Sequence, residues 1–253
     1  MKEDDKIPFT AHLEELRKRL VICCVAIGIG VVIAYGFKEK LFEILTIPLV
    51  REMRPGDKLI FTGLTEAFFT YMKVAFLAGI MLASPVIIYQ FWSFVGPGLY
   101  KKERRYFVPI VLLSAFFFAG GSLFCFFVVF PFAFKFFLSF ATDVIQPLPS
   151  MNEYLSFASV TMLAFGLVFE LPLVIVFLAR LGIVTVDFLR KNRKYAILLI
   201  FLVAAILTPG PDVVSQVLMA VPLMFLYEVS IVGAIFLGKK KEKKRATEPE
   251  KTN

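Results

Sequence analysis

The chain has 253 residues, 58% of them hydrophobic, and a mean hydropathy of +0.79. Soluble domains average about 45–50% apolar residues, and here the excess falls in long runs, which excludes an ordinary soluble domain and indicates membrane spans. The formal net charge of +8 lies mostly in loops and tails between those runs, where basic residues set topology, so nucleic-acid binding is not expected.

Residues 1–19 read as an N-terminal amphipathic segment. In TAHLEELRKRL, Thr10 is a candidate N-cap, and Leu13, Leu16 and Leu20 recur on one helical face. Glu14 and Lys18, and Glu15 and Arg19, stand at i,i+4 spacing, where opposite charges pair. This pattern suits a solvated helix laced with weak ion pairs as well as it suits a binding surface. The first span follows at about 20–37, with no recognisable leader cleavage site. Residues 39–53 space their apolar positions as a helix lying along a membrane surface would.

The second span covers about 67–91 and contains Lys73. After it comes FWSFVGPGLYKKERRYF, in which Gly96-Pro97-Gly98 marks a turn and Glu103 is the lone acid among four bases. Glu103 is either a solubilising acid in a basic loop or a carboxylate kept for a partner's guanidinium. The third span, about 107–131, is rich in Phe and is expected to break at Gly120-Gly121. Pro147 and Pro149 then favour an extended or turned path.

The fourth span, about 153–180, carries Glu170 with Pro172 two residues on. Arg180 marks its end, so Glu170 lies about 15 Å inside, near the midplane. A charge there costs about 2.5–3.5 kcal/mol on insertion scales. Glu170 is therefore expected to avoid lipid, as a buried interhelical hydrogen bond or as a functional group. Pro172 cannot donate to the carbonyl near residue 168, so a bend is expected. The fifth span, 195–208, is short, and the sixth runs over 213–237 with Gln216 as a candidate polar neighbour of Glu170. The basic tail, 238–253, is expected to be disordered.

Of the 28 Lys and Arg residues, 21 fall in the N-terminus, the 92–106 loop, the 180–194 connection and the tail. Six fall in the alternate connections, and Lys73 lies within a span. The bias predicts a cytoplasmic location for both termini. Cys23, Cys24 and Cys125 lack metal or CxxC spacing and read as small buried hydrophobes. The single His12 and the lack of a phosphate loop, HExxH or GxSxG argue against an enzyme, a metal site or any cofactor.

Taken together, these stretches resemble the TatC family, the multi-span receptor subunit of the twin-arginine protein translocase. His12, Leu13, Glu15, Leu16, Arg17 and Arg19 stand in register with the family's Ser/Thr-His-Leu-x-Glu-Leu-Arg-x-Arg pattern, with Ala11 in place of its first residue. Phe94, Pro97, Leu99 and Glu103 match the first cytoplasmic loop, and Phe169, Glu170 and Pro172 match the intramembrane acid motif. Thr208, Pro209, Asp212 and Gln216 match the last outer turn, and Pro48 a proline of the first outer loop.

The resemblance implies an all-α, concave bundle of six transmembrane helices with a short fifth span, in the cytoplasmic (inner) membrane. It implies that twin-arginine signal peptides bind at Glu15, Arg17, Phe94 and Glu103. It also implies that Glu170 and Gln216 meet single-span TatA/TatB-type subunits, and that the chain self-associates in a larger complex driven by the proton gradient. A proton-coupled secondary transporter using Glu170 is the alternative. It would require an inverted repeat and more midspan polarity than the chain has.

Overall fold

The computed structural model describes residues 9–54, 56–95, 107–142, 147–207 and 213–247. The regular elements among them are helices: α1 (Phe9–Tyr35), α2 (Lys38–Glu52), α3 (Glu66–Val95), α4 (Phe107–Phe124), a π-helical turn (Cys125–Val129), α5 (Phe130–Leu138), α6 (Met151–Phe169), α7 (Leu171–Leu181), α8 (Val186–Lys191), α9 (Arg193–Leu207) and α10 (Val213–Thr247). Five stretches are long and apolar enough to cross a bilayer: His12–Tyr35, Glu66–Val95, Val108–Leu138, Met151–Ala179 and Gln216–Ile235. The 15 residues of α9 extend only about 22 Å at helical rise.

Several expectations are corrected by these bounds. α1 starts at Phe9, so Thr10 lies inside the helix rather than capping it. α4 runs through Gly120-Gly121 without a break, because lipid offers a glycine backbone no alternative partners. The irregularity of this span comes later, in the π turn. Pro131 sits just beyond it and would crowd the carbonyl four residues earlier, which the widened turn relieves. α10 continues through the basic run to Thr247, where Lys and Glu, good helix formers, dominate. Of the cysteines, Cys125 is buried but Cys24 is exposed.

The chain divides into two compact units, the first comprising residues 1–47, 58–119 and 148–159. Its centre is the antiparallel pair α1 and α3, which meet at Gly30 and Gly79. A Cβ on Gly30 would lie 2.6 Å from the Gly79 carbonyl oxygen, and one on Gly79 would lie 2.7 Å from the Val31 amide. Small residues let membrane helices approach this closely, and the approach yields dispersion contacts that lipid does not match. α3 is tied to α4 by the buried Trp92, whose Nε1 donates to Ser114 Oγ at 3.0 Å.

α6 joins the same unit through its first turn. Ile60 and Ser150 form a bridge, with Ile60 N donating to the Pro149 carbonyl and Met151 N to the Ile60 carbonyl. Beside it, Glu66 accepts from Thr62 N at 2.6 Å, Thr62 Oγ1 at 3.1 Å and Gly63 N at 3.2 Å. Its other oxygen accepts from Ser150 Oγ at 2.6 Å and Asn152 N at 3.2 Å. One carboxylate thus caps the start of both α3 and α6, where the helix dipole favours negative charge. Glu66→Ala is expected to lower the melting temperature in detergent and to speed proteolysis between residues 53 and 65, with Ser150→Ala doing so to a smaller degree. Unchanged melting of Glu66→Ala would refute this role.

The second unit comprises residues 48–57, 120–147 and 160–253. α7 packs on α10 with a Cβ position of Gly233 2.8 Å from Val176 Cγ2, and Leu189, Ile231 and Ala234 form a core beside them. α7 ends at Gly182, whose φ of +80° places it in the left-handed region that glycine tolerates. Thr185 Oγ1 then caps α8 by accepting from Phe188 N at 3.1 Å. α9 runs antiparallel to α10: Arg193 pairs with Glu228 at 2.7 Å near one end, and Gln216 reaches Phe201 further along.

Candidate binding sites

The first candidate site lies where the start of α1 meets the end of α3. Two turns of α1 bring His12, Glu15 and Arg19 onto one face, as their spacing predicts. Arg19 Nε and Nη2 donate to Glu15 Oε1 at 3.0 and 2.5 Å, and Nη1 donates to Gln90 Oε1 of α3 at 3.1 Å. The His12 ring stacks on Phe94, with centroids 4.3 Å apart and planes 18° from parallel. Glu15 and Arg19 are 32% and 22% exposed, against 64% and 72% for the neighbouring Glu14–Lys18 pair. The second pair is therefore a solvated surface contact contributing little, whereas the first is shielded and held from two helices.

Arg17 is exposed on the other side of the turn. Leu13, Leu16 and Leu20 are 47%, 44% and 61% exposed, so their stripe is not buried against this chain. Pro97, Leu99 and Glu103 lie outside the described residues. The structure thus brings Glu15 and Phe94 to one end of one unit.

The second candidate site surrounds Glu170. The fourth span is split there into α6 and α7, as Pro172 predicts. Glu170 N falls back to the Leu167 carbonyl at 3.1 Å, a tighter turn than the α-helical one, and α7 restarts with Val174 N on the Glu170 carbonyl at 2.9 Å. Glu170 is half-buried, with Oε1 buried, and Pro172 is buried. Phe169, immediately before Glu170, and Phe165, about one turn earlier, pack against Phe124 at centroid distances of 5.4 and 6.2 Å. Gly121 makes room for this: a Cβ there would lie 2.6 Å from the Phe165 carbonyl oxygen and 2.7 Å from the Phe169 ring. Gln216 Nε2 donates to the Phe201 carbonyl of α9 at 2.9 Å. Pro48 is buried within α2, while Thr208, Pro209 and Asp212 lie outside the described residues.

The family model for the Sec-independent protein translocase protein (TatC) matches residues 11–222. The chain belongs to the TatC family. It is 61% identical to the Sec-independent protein translocase protein TatC of Desulforapulum autotrophicum, over 95% of this chain and 89% of that one. It is 38% identical to that of Escherichia coli K12, over 94% and 93% of the two chains. A crystal structure described as the twin arginine translocase receptor TatC superposes with a TM-score of 0.82 at 42% identity, covering 90% of this chain and 99% of that one. A second such structure, in the detergent DDM, gives 0.80 at 43% identity, covering 87% and 98%.

As a TatC-family chain it is a multi-pass inner-membrane protein and the core receptor component of twin-arginine translocation. Members of the family are non-catalytic transport proteins, and among the described residues no three His, Cys, Asp or Glu side chains gather as a metal would require. Two polar features of this TatC-family fold escape the sequence reading. Lys73 of α3 donates to Asn152 Oδ1 at 2.5 Å and Ser156 Oγ at 2.8 Å, both on α6. A lysine within an apolar span was the available signal, but Asn152 and Ser156 are ordinary residues until the fold brings them near. The Trp92–Ser114 bond is the other, and nothing in the spacing of either residue announces it.

Proposed function

We propose that this chain binds twin-arginine signal peptides at its cytoplasmic face through the carboxylates of Glu15 and Glu103, with Arg17 nearby and Phe94 against the apolar part of the peptide. The carrying observation is the half-buried Glu15, whose Oε1 already accepts from both Nε and Nη2 of one guanidinium at the α1–α3 end. Planar guanidinium groups match carboxylates in this way, whereas an ammonium offers only a point charge. Two arginines call for two such acids, and Glu103 is the second.

In the same reading both termini are cytoplasmic, and α9 serves as the short fifth of six spans. The segment 1–19 is the peptide-facing end of the 20–237 membrane domain, and the basic tail, 238–253, contacts anionic lipid. Glu170 and Gln216 offer polar contact to single-span TatA/TatB-type helices, worth about 1–2 kcal/mol or less. Pro48, Pro97, Pro172, Pro209 and Asp212 shape the turns and bends around these sites. Several copies assemble, and the proton gradient drives transport of folded proteins.

The test is peptide binding by Glu103→Ala. Affinity for a paired-arginine peptide is expected to fall about tenfold, since one charge-assisted bond contributes about 1.5 kcal/mol. A paired-lysine control should change far less. Equal binding of the paired-arginine peptide by wild type and variant would refute the assignment.

A further inference from the structure

We propose that Lys73 and Asn152 form a binding site for the phosphate of an anionic phospholipid, in the leaflet where α3 and α6 begin.

Lys73 is a cation in an apolar span, and it forms no ion pair among the described residues. Its ammonium donates to Asn152 Oδ1 and Ser156 Oγ, at 2.5 and 2.8 Å. Both acceptors are neutral, so the positive charge stays uncompensated, which is unfavourable beside hydrocarbon. Glu66 lies two turns back on α3, about 10 Å at helical rise. Its two oxygens already accept five hydrogen bonds, from Thr62, Gly63, Ser150 and Asn152.

The remaining hydrogen-bonding capacity selects the ligand. An ammonium has three N–H donors and no acceptor, and Lys73 uses two. Because it can only donate, the amide oxygen of Asn152 must face it, which leaves the Asn152 NH2 group as a further donor. That group has no acceptor among the described residues. Ser156 Oγ donates to the Asn152 carbonyl at 2.7 Å, so its proton is already engaged. What Lys73 and Asn152 still offer is donors around one positive charge, the complement of a phosphate oxygen. A lipid of net negative charge neutralises Lys73, which a zwitterionic one does not.

Depth and surroundings favour a lipid as the source. Asn152 is the second residue of the span Met151–Ala179, so the ammonium lies near the end of that span, at headgroup rather than midplane depth. Lys73, Asn152 and Ser156 are each partly exposed. One turn either way from Lys73 on α3, Phe69 and Phe76 are 57% and 55% exposed, an apolar track for an acyl chain beside the site.

The test uses the full-length chain purified in detergent, titrated with phosphatidylglycerol or with diacylglycerol of the same chain length, and counts retained lipids by native mass spectrometry. Asn152→Asp is the decisive variant. It puts a carboxylate beside Lys73 at unchanged size, so the tie between α3 and α6 is kept while the charge no longer calls for a ligand. One fewer phosphatidylglycerol is expected to be held tightly than in wild type, its affinity falling about tenfold or more, with no loss of melting temperature. Lys73→Arg is expected to keep that lipid and Lys73→Gln to lose it, and this pair decides the matter if Asn152→Asp does not fold. An unchanged phosphatidylglycerol count in Asn152→Asp, or equal retention of both lipids by wild type, overturns the proposal. Inorganic phosphate that raises the wild-type melting temperature as much as phosphatidylglycerol does overturns the lipid as its source. Loss of a co-purifying single-span subunit from Asn152→Asp, with the lipid count unchanged, overturns it in favour of a protein carboxylate.

Discussion

Gly79→Val is expected to unseat α1 from α3 and to remove most folded protein from the membrane. The Cβ position at Gly79 lies 2.7 Å from the Val31 amide and 2.9 Å from its Cα. Both are backbone atoms, so no rotamer change relieves the clash and the helices must separate. Overpacking of this kind costs about 3 kcal/mol, a large share of a typical domain's stability. The matched control is Gly28→Val on the facing helix α1, where an added Cβ meets nothing within 4 Å. Size-exclusion profiles and thermal melts of the two purified variants check this. Similar profiles for both would show that the Gly30–Gly79 contact does not hold the unit together.

Glu170→Ala is expected to weaken assembly with single-span partner helices by up to about tenfold while leaving signal-peptide binding intact. The break between α6 and α7 turns on Pro172 and persists without the acid, so the variant removes the carboxylate and keeps the backbone path. Apolar surroundings give that carboxylate few substitutes, and intramembrane acids tend to be retained for function. Co-purification of tagged partner subunits measures the first effect, and peptide binding to the purified chain measures the second. Partner recovery equal to wild type would sink the role given to Glu170. Loss of peptide binding alongside it would point to general misfolding instead.

Local chemistry was largely legible in the sequence. The Glu15–Arg19 and Glu14–Lys18 pairs follow from i,i+4 spacing, and the interruption at Glu170 follows from Pro172. The helix at Lys38–Glu52 matches the apolar spacing of residues 39–53. What escaped was what depends on a distant partner. Arg19 reaches Gln90, Lys73 reaches Asn152, and Trp92 reaches Ser114, and no periodicity in one segment names the residue opposite. Glycines were the clearest misreading. Gly120-Gly121 was expected to break a helix, as glycine tends to in water. In lipid the helix persists, and Gly121 instead admits the Phe165 backbone and the Phe169 ring.

Lys73 has a consequence for how the chain is made. Its partners Asn152 and Ser156 lie 79 and 83 residues later in the sequence. At a synthesis rate of about 5–20 residues per second, the second span waits about 4–16 s before any of them exists. During that interval its ammonium must be sheltered by water, lipid headgroups or the insertion machinery, because a lone lysine in the hydrocarbon is costly. The emergence of α6 ends the wait, so the two bonds of Lys73 form only once the start of the fourth span has been synthesised.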